Sequence, residues 1–435
     1  NDVTNYRGIS LLCNFSKVLE MILYCDIYNS TKHMISPYQH GFQQKKSTIT
    51  NLTSFSQYVC EILDNRGQCD VIYTDFTKAF DQIDHLILVE KLNRLGFSNS
   101  LIKLFQSYLH EREHVVKYRN FISKSFFPSS GVPQGSNLGP LLFLLFINDL
   151  ADVAGCKKLI FADDFQLYTE IESIEDCAFL QFCLHLLYTW CKQNRLMLNI
   201  SKCKIVSYSR KQLIIQYDYN IDGVVIERLE SFKDLGIIFD SKFTFVQHIT
   251  DIIAKAFKMY GFIFRNGREF SNQNTLKILF YSLIRSRLEY GVIIWSPIYE
   301  VHRVNLEAVQ RKFLKFLAFM EDGAYPSRGF NHDTLLGRFN FTALSVRRNI
   351  LIIRFLYNLL NNKVDCAALL NKINFLVPRP SIRKHLLFYK TYSRTNILFR
   401  SPISLMCSLY NKIADKCDIH FDSSSYICCC IRDLS

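Results

Sequence analysis

Short apolar runs that stop at carboxylates alternate along the chain with longer stretches whose apolar residues recur at helical spacing. Residues 71–74 are a compact β-prone run ending in Asp75. Residues 159–162 are a second such run, ending in Asp163 and Asp164 before the apolar pattern resumes at 165–168. Two strands are therefore expected to deliver carboxylates at their ends. Between them, residues 129–139 are rich in Gly, Pro and Ser and lead into the unbroken apolar segment 141–147, which predicts a loop opening a buried helix. Residues 178–191 carry the pattern of an amphipathic helix. Ile221, Asp222 and Gly223 predict a hairpin-like region running on to the strand-like 235–239, with Gly223 supplying the positive φ of a tight turn. After about residue 243 the character changes. Segments 249–264, 276–290 and 306–319 each set apolar residues at helical spacing among Lys and Arg, which predicts a basic helical portion beyond a boundary near 240. No repeat is present that would indicate a solenoid.

Composition and charge narrow the partners. The 435 residues carry 52 Lys+Arg against 39 Asp+Glu, a formal net charge of +13. With 49% apolar residues the chain can bury large cores, which excludes a mainly disordered protein, and its length suits two to four domains. The basic excess points to a polyanion, nucleic acid first and an acidic membrane surface second. The longest apolar stretch, 141–147, is far short of the roughly 18–20 residues of a membrane span. The chain opens on Asn1 without the apolar core of a secretory signal, so the expectation is a fragment of a longer reading frame that is not secreted and works inside the cell, in nucleus and/or cytoplasm. Fifteen cysteines, an odd number with no CxxC pair and no zinc-site spacing, read as free buried thiols. The three consecutive cysteines at 428–430 have no account at this level.

Asp75, Asp163 and Asp164 are the residues that point to chemistry. Carboxylates gathered at strand ends repel one another unless cations neutralise them, and a hard divalent ion such as Mg2+ prefers such oxygens. Two ions about 3.5–4 Å apart would serve an in-line nucleotidyl transfer, one activating the attacking hydroxyl and the other steadying the departing pyrophosphate. A bare Asp-Asp pair is more often a turn or solvated surface.

The surroundings of these aspartates carry a resemblance. Asp75-Phe76-Thr77-Lys78-Ala79-Phe80-Asp81, Gly131-Val132-Pro133-Gln134-Gly135-Ser136 and Phe161-Ala162-Asp163-Asp164, in that order, resemble the palm motifs of reverse transcriptases, specifically of the non-LTR (LINE, jockey-like) retrotransposon family. Asn5-Tyr6-Arg7-Gly8-Ile9-Ser10-Leu11-Leu12 with Lys17-Val18-Leu19-Glu20 resembles the family's opening segment, and Gln39-His40-Gly41-Phe42 through Ser47-Thr48 resembles its fingers motif. Asn199 with Lys202 resembles the motif after the catalytic hairpin. Leu235-Gly236 with Asp240 and His248 resembles the primer-grip region. Leu288-Glu289-Tyr290-Gly291, Trp295-Ser296-Pro297 and Val309-Gln310-Arg311-Lys312-Phe313 resemble thumb and C-terminal segments.

The resemblance implies an α+β right-hand polymerase of fingers, palm and thumb, followed by a mainly helical basic C-terminal region. The implied domains are fingers and palm over 1–242, a helical thumb-like region over 243–330, and a C-terminal helical region of open role over 331–435. The implied activity is RNA-directed DNA synthesis by two-metal nucleotidyl transfer, with two Mg2+ ions, or Mn2+ in their place. RNA template, DNA primer and dNTPs are the implied partners. The resemblance further implies no membrane partner, and an endonuclease activity supplied by an N-terminal domain outside this sequence. Asp75, Asp163 and Asp164 are implied to be catalytic and to bind the metals, together with the Phe76 backbone carbonyl. Nucleotide contacts fall to Lys45 and Lys46 at the triphosphate, to Phe80 as a gate against the ribose 2′-hydroxyl, to Gln134 and Gly135 beneath the base pair, and to Lys202 as proton donor to pyrophosphate. Gly236 and His248 fall to template and primer. Two departures stand out: Gly8 replaces a proline usual in the opening segment, and Gln43-Gln44-Lys45-Lys46 lacks a customary arginine. A bidentate guanidinium is thereby lost. A non-catalytic remnant that binds nucleic acid is the alternative reading.

Overall fold

The computed structural model describes residues 8–110, 112–270, 272–327, 329–377 and 386–433. Two compact units divide the chain. The first holds residues up to 51, 69–207 and 213–229, and the second holds 52–68, 208–212 and the chain from 230 onward.

In the first unit, α1 (Asn14–Thr31) precedes α2 (Thr48–Asp64), of which only the first turn belongs to this unit. There follow β1 (Gln68–Thr74), α3 (His85–Arg94), α4 (Asn99–Leu109), the small hairpin β2 (Lys117–Tyr118) and β3 (Phe121–Ile122), then α5 (Leu138–Ile147) and α6 (Leu150–Val153). The hairpin β4 (Lys157–Phe161) and β5 (Asp164–Glu170) leads to α7 (Ile174–Gln193), β6 (Lys204–Ser209), β7 (Asn220–Ile221), β8 (Val224–Val225) and β9 (Glu227–Arg228). A five-stranded sheet runs in the order β4-β5-β1-β6-β9. It is mixed: β5 is antiparallel to both β4 and β1, while β6 and β9 are parallel.

The hydrophobic pattern explains this arrangement. Every residue of β1 is buried, as a central strand requires, and nine of the ten residues of α5 are buried, as expected for a helix apolar on all sides. α7 packs on β5 and starts in a capping box, Ser173 N donating to Asp176 Oδ2 at 2.9 Å. Asp222 and Gly223, at φ +53° and +79°, close the β7–β8 hairpin as the sequence predicts. The strand expected over 235–239 belongs to a separate hairpin.

That hairpin, β10 (Ser231–Asp234) and β11 (Ile237–Asp240), opens the long stretch of the second unit, because β11 packs on α8 (Val246–Asn266) and goes with the helices. α9 (Gln273–Phe280), α10 (Ser286–Glu289), α11 (Val292–Trp295), α12 (Glu300–Asp322), α13 (His332–Phe339), α14 (Leu344–Leu360), α15 (Ala367–Leu370), α16 (Asn396–Phe399), α17 (Pro402–Tyr410) and α18 (Ser424–Arg432) complete it. The helix expected over 276–290 carries a π-helical turn at Tyr281–Arg285 between α9 and α10. Phe280 stacks on Phe313 of α12 at 4.3 Å, centring this unit's core. In α18, Ile427, Cys428, Cys430 and Ile431 are buried and Cys429 is exposed, so two of the three consecutive cysteines lie on the inner face of an amphipathic helix. All fifteen cysteines are free and twelve are buried. Among the described residues no helix is long and apolar enough to cross a membrane.

Candidate active site

The site is built where β1 ends. Thr74 pairs with Phe165 in the last rung between β1 and β5, and its Oγ1 donates to the Phe165 carbonyl at 2.9 Å. Asp75 follows as the first residue past this strand, and Asp164 is the first residue of β5. Phe161 pairs with Asp164 across the β4–β5 hairpin, so Ala162 and Asp163 form its two-residue turn, with Ala162 at φ +56°. Asp163 is half-buried and Asp164 exposed. Beyond β1 the chain is held by residues 197–199: Asn199 N donates to the Asp75 carbonyl at 2.7 Å and Thr77 N to the Met197 carbonyl at 2.9 Å. These two bonds flank the bridge between Phe76 and Leu198 and leave the Phe76 carbonyl outside the ladder.

Asp75 Oδ2 is buried without a hydrogen bond, and Lys202 Nζ stands 3.3 Å from it. An orphaned buried carboxylate oxygen is costly unless a cation neutralises it. Lys202 supplies that charge from a side chain that is two-thirds exposed and free to swing away. Among the described residues no three His, Cys, Asp or Glu side chains form a ready-made metal cage. Carboxylates near one sheet end repel one another unless a cation stands between them. Their donor chemistry, hard oxygen with one buried atom unsatisfied, fits a divalent cation.

The Ala162–Asp163 turn is gripped from residues 38–41. Ile160 N donates to the Tyr38 carbonyl at 3.0 Å and His40 N to the Ile160 carbonyl at 2.8 Å, which lays this segment along β4. Gln39, 3% exposed, accepts through Oε1 from Ala162 N at 3.0 Å and from Gly41 N at 2.7 Å. A Cβ on Gly41 would collide with Ala162 N. Since that neighbour is backbone, Gly41→Ala must push the turn aside; the first unit is expected to lose about 1–3 kcal/mol in urea unfolding. The His40 imidazole is buried against Thr50, Nδ1 to Oγ1 2.7 Å, and burial, reinforced by Lys46, drives its pKa down to about 3. It therefore stays neutral. Lys46 Nζ donates to the carbonyls of Pro37 and Gln39 at 3.0 and 3.1 Å, so this ammonium anchors the same segment. Lys45 is exposed, with φ +61°.

Phe80, Gln134 and Gly135 come together on one side of the site. The Phe80 ring stacks on Phe143 of α5 at 4.5 Å and meets Phe42 edge-on at 6.0 Å, while its carbonyl accepts from Val132 N at 2.9 Å. Gln134 Nε2 donates to Asp81 Oδ1 at 3.0 Å. Gly131 takes φ +87°, and a Cβ there would lie 2.8 Å from the Asp81 Cα, so only glycine lets this loop close on the segment after Asp75. The opening segment lies against the loop, Ser10 N donating to the Gln134 carbonyl at 2.8 Å; its Asn5, Tyr6 and Arg7 lie outside the described residues.

Glu20 holds the same loop from below. It is 2% exposed, accepts at Oε2 from Asn137 N at 2.6 Å, and accepts at Oε1 from the Tyr108 hydroxyl at 2.8 Å. Asn137 itself gives α5 no side-chain cap, so Glu20 does that work from α1. The roles of Gln39 and Glu20 escape sequence reasoning although both lie inside the motifs quoted above.

In the second unit, Leu235 and Gly236, at φ +40° and +92°, form the β10–β11 turn, and the Tyr290 hydroxyl donates to the Leu235 carbonyl at 2.7 Å. His248 is 2% exposed and accepts at Nδ1 from Ile238 N at 3.3 Å. Its ring packs on Trp295 at 5.4 Å, and burial lowers its pKa to about 4. His248, within α8, accepts from the backbone of β11 and so fastens the hairpin to α8.

The model of the family described as reverse transcriptase (RNA-dependent DNA polymerase) matches residues 1–263. The chain is 29% identical over 329 residues to the probable RNA-directed DNA polymerase from transposon X-element of Drosophila melanogaster, covering 73% of this chain and 36% of that protein. It is 26% identical over 339 residues to that from transposon BS of the same fly, covering 75% and 37%. To the RNA-directed DNA polymerase from mobile element jockey, also of D. melanogaster, it is 27% identical over 330 residues, covering 72% and 36%. The chain thus spans little more than a third of the length of these relatives.

Proposed function

The chain belongs to the reverse transcriptase (RNA-dependent DNA polymerase) family, in its non-LTR, jockey-like branch, and we propose that it extends a DNA 3′-hydroxyl on an RNA template by two-metal nucleotidyl transfer. The observation that carries this reading is the buried Asp75 Oδ2, which has no hydrogen bond and only the exposed Lys202 ammonium at 3.3 Å, at the end of the sheet that also presents the Ala162–Asp163 turn. Asp75, Asp163, Asp164 and the Phe76 carbonyl would hold the ions. Bound there, Mg2+ or Mn2+ would lower the pKa of the primer hydroxyl and neutralise charge on the leaving pyrophosphate.

The chain's own residues do the rest. Lys202, released from Asp75, donates a proton to pyrophosphate, and Lys45 meets the triphosphate as a point charge, with Lys46 bracing the segment that carries it. Phe80, held upright by Phe143, closes the space a ribose 2′-hydroxyl would need. Gln134 and Gly135 carry the base pair, and Gly236 lies at the primer, with His248 as the anchor of its hairpin. The reading implies a right-hand polymerase with fingers and palm over 1–242, a thumb-like region over 243–330 and a basic helical region over 331–435. RNA template, DNA primer and dNTPs are its partners, and an endonuclease domain ahead of this segment is the expected companion in the longer protein.

The test is primer extension by the purified chain. Incorporation of dNTPs on an RNA template that stops when the divalent ion is chelated is the expected result. Steep salt-dependent RNA binding with no incorporation would instead establish the non-catalytic remnant. Phe80→Val is expected to raise ribonucleotide use relative to deoxynucleotide by about 10- to 100-fold, the scale on which a pocket's steric fit discriminates.

A further inference from the structure

α8 and α12 pack side by side in the second unit and border a cavity of about 400 Å3 lined by Tyr260, Phe264, Lys312, Lys315 and Tyr325. That volume lies in the range of about 300–1,000 Å3 typical of small-ligand sites. Its wall is aromatic. Tyr325, half-exposed just past α12, stacks on Phe319 at 4.5 Å with rings nearly parallel. Arg268 covers the Phe264 ring at 4.4 Å, and Lys312 Nζ lies 5.3 and 5.5 Å from the rings of Phe257 and Tyr260.

The charge at the rim is one-sided. α12 carries four carboxylates, and each is matched by an arginine: Glu300 by Arg303, Glu307 by Arg348, Glu321 and Asp322 by Arg338. Among the described residues Lys312 and Lys315 have no ion-pair partner, and no acid lines the cavity. Two ammonium groups three residues apart, beside the half-exposed Tyr325 ring, ask for a ligand that has both an anion and a flat π-surface.

We propose that this cavity binds one nucleotide of a single-stranded nucleic acid, its base stacked on Tyr325 and its flanking phosphates on Lys312 and Lys315. A stacked base gains about 1–3 kcal/mol on an aromatic platform, and ammonium groups serve phosphate as point charges. An acidic peptide would satisfy the lysines but leave the rings unused. Nothing in the proposal depends on Asp75, on divalent ions or on polymerase activity.

The experiment titrates the full chain, in EDTA and without dNTPs, into fluorescein-labelled short oligouridine at several salt concentrations, with polyphosphate and polyglutamate as competitors. Tyr325→Ala is expected to weaken oligouridine binding about 5- to 150-fold, corresponding to the loss of one stacked base, with an unchanged salt slope and unchanged competition by polyphosphate. Tyr325→Phe keeps the ring and binds as the parent does. The double variant Lys312→Gln/Lys315→Gln lowers the salt slope by about 0.7–1.4, the contribution of one or two single-strand phosphates. Oligouridine binding that survives Tyr325→Ala overturns the proposal. So does a loss shared equally by polyphosphate or polyglutamate, which would make the site a simple anion or acidic-peptide patch.

Discussion

Replacing Asp163 and Asp164 together by Ala is expected to remove the proposed metal-dependent extension of a DNA primer on RNA, by at least about 1,000-fold, the scale of losing electrostatic stabilisation at the reacting phosphate. The fold is expected to survive. Asp164 is exposed, Asp163 is half-buried at a hairpin turn, and the turn itself is clamped through the backbone of Ala162 by Gln39 rather than through either carboxylate. Thermal unfolding and the salt dependence of RNA binding should therefore match those of the parent chain, while incorporation disappears. Extension that persists in this variant would remove the aspartates from the chemistry. The single change Lys202→Met tests the proposed proton donation apart from metal binding. It is expected to slow extension by about 100-fold or more, as loss of a general acid does, and to leave the divalent-ion requirement in place.

What could be read in advance follows from how far each signal reaches along the chain. The strand-end carboxylates, the buried helix α5 and the Asp222-Gly223 turn depend on patterns within a few residues, and each is found where the pattern sets it. The β-strand expected to end at residue 162 closes instead at Phe161, and Ala162 enters the left-handed region because the turn needs it there. Gln39 and Glu20 are different. Their partners are 123 and 117 residues away, and a polar residue in a helix or loop carries no periodicity that would mark it as buried. The same limit applies to His248. Its position near the hairpin could be read from motif order, but its burial against Trp295 depends on a helix formed 47 residues later. A titratable side chain near a site is therefore read as a contact until packing shows whether it faces outward.

Glu20→Ala brings the second large effect, and it tests whether the nucleotide-side loop is held from α1. The substitution leaves Asn137 N and the Tyr108 hydroxyl without their acceptor in a region where Glu20 is 2% exposed. Each unsatisfied buried group costs about 1–3 kcal/mol, so the first unit should lose about 3 kcal/mol and melt roughly 6–12 °C lower. Burial, with Glu20 beside it, holds the Tyr108 phenol above its ordinary pKa, so it remains a donor throughout the neutral range and the loss should not depend on pH there. Tyr108→Phe removes one of the two bonds and takes the donor away with it, so it should cost about 1 kcal/mol. The activity readout separates positioning from simple instability. Below the melting range, Glu20→Ala should raise KM for dNTP more than it lowers kcat. The carboxylates come from β1 and the β4–β5 turn, whereas the loop at Gln134 and Gly135 leads directly into the α5 terminus that Glu20 caps. Glu20→Gln, which keeps the shape and one acceptor oxygen, should recover most of the KM. Equal losses in KM and kcat for both variants would place the whole effect in stability.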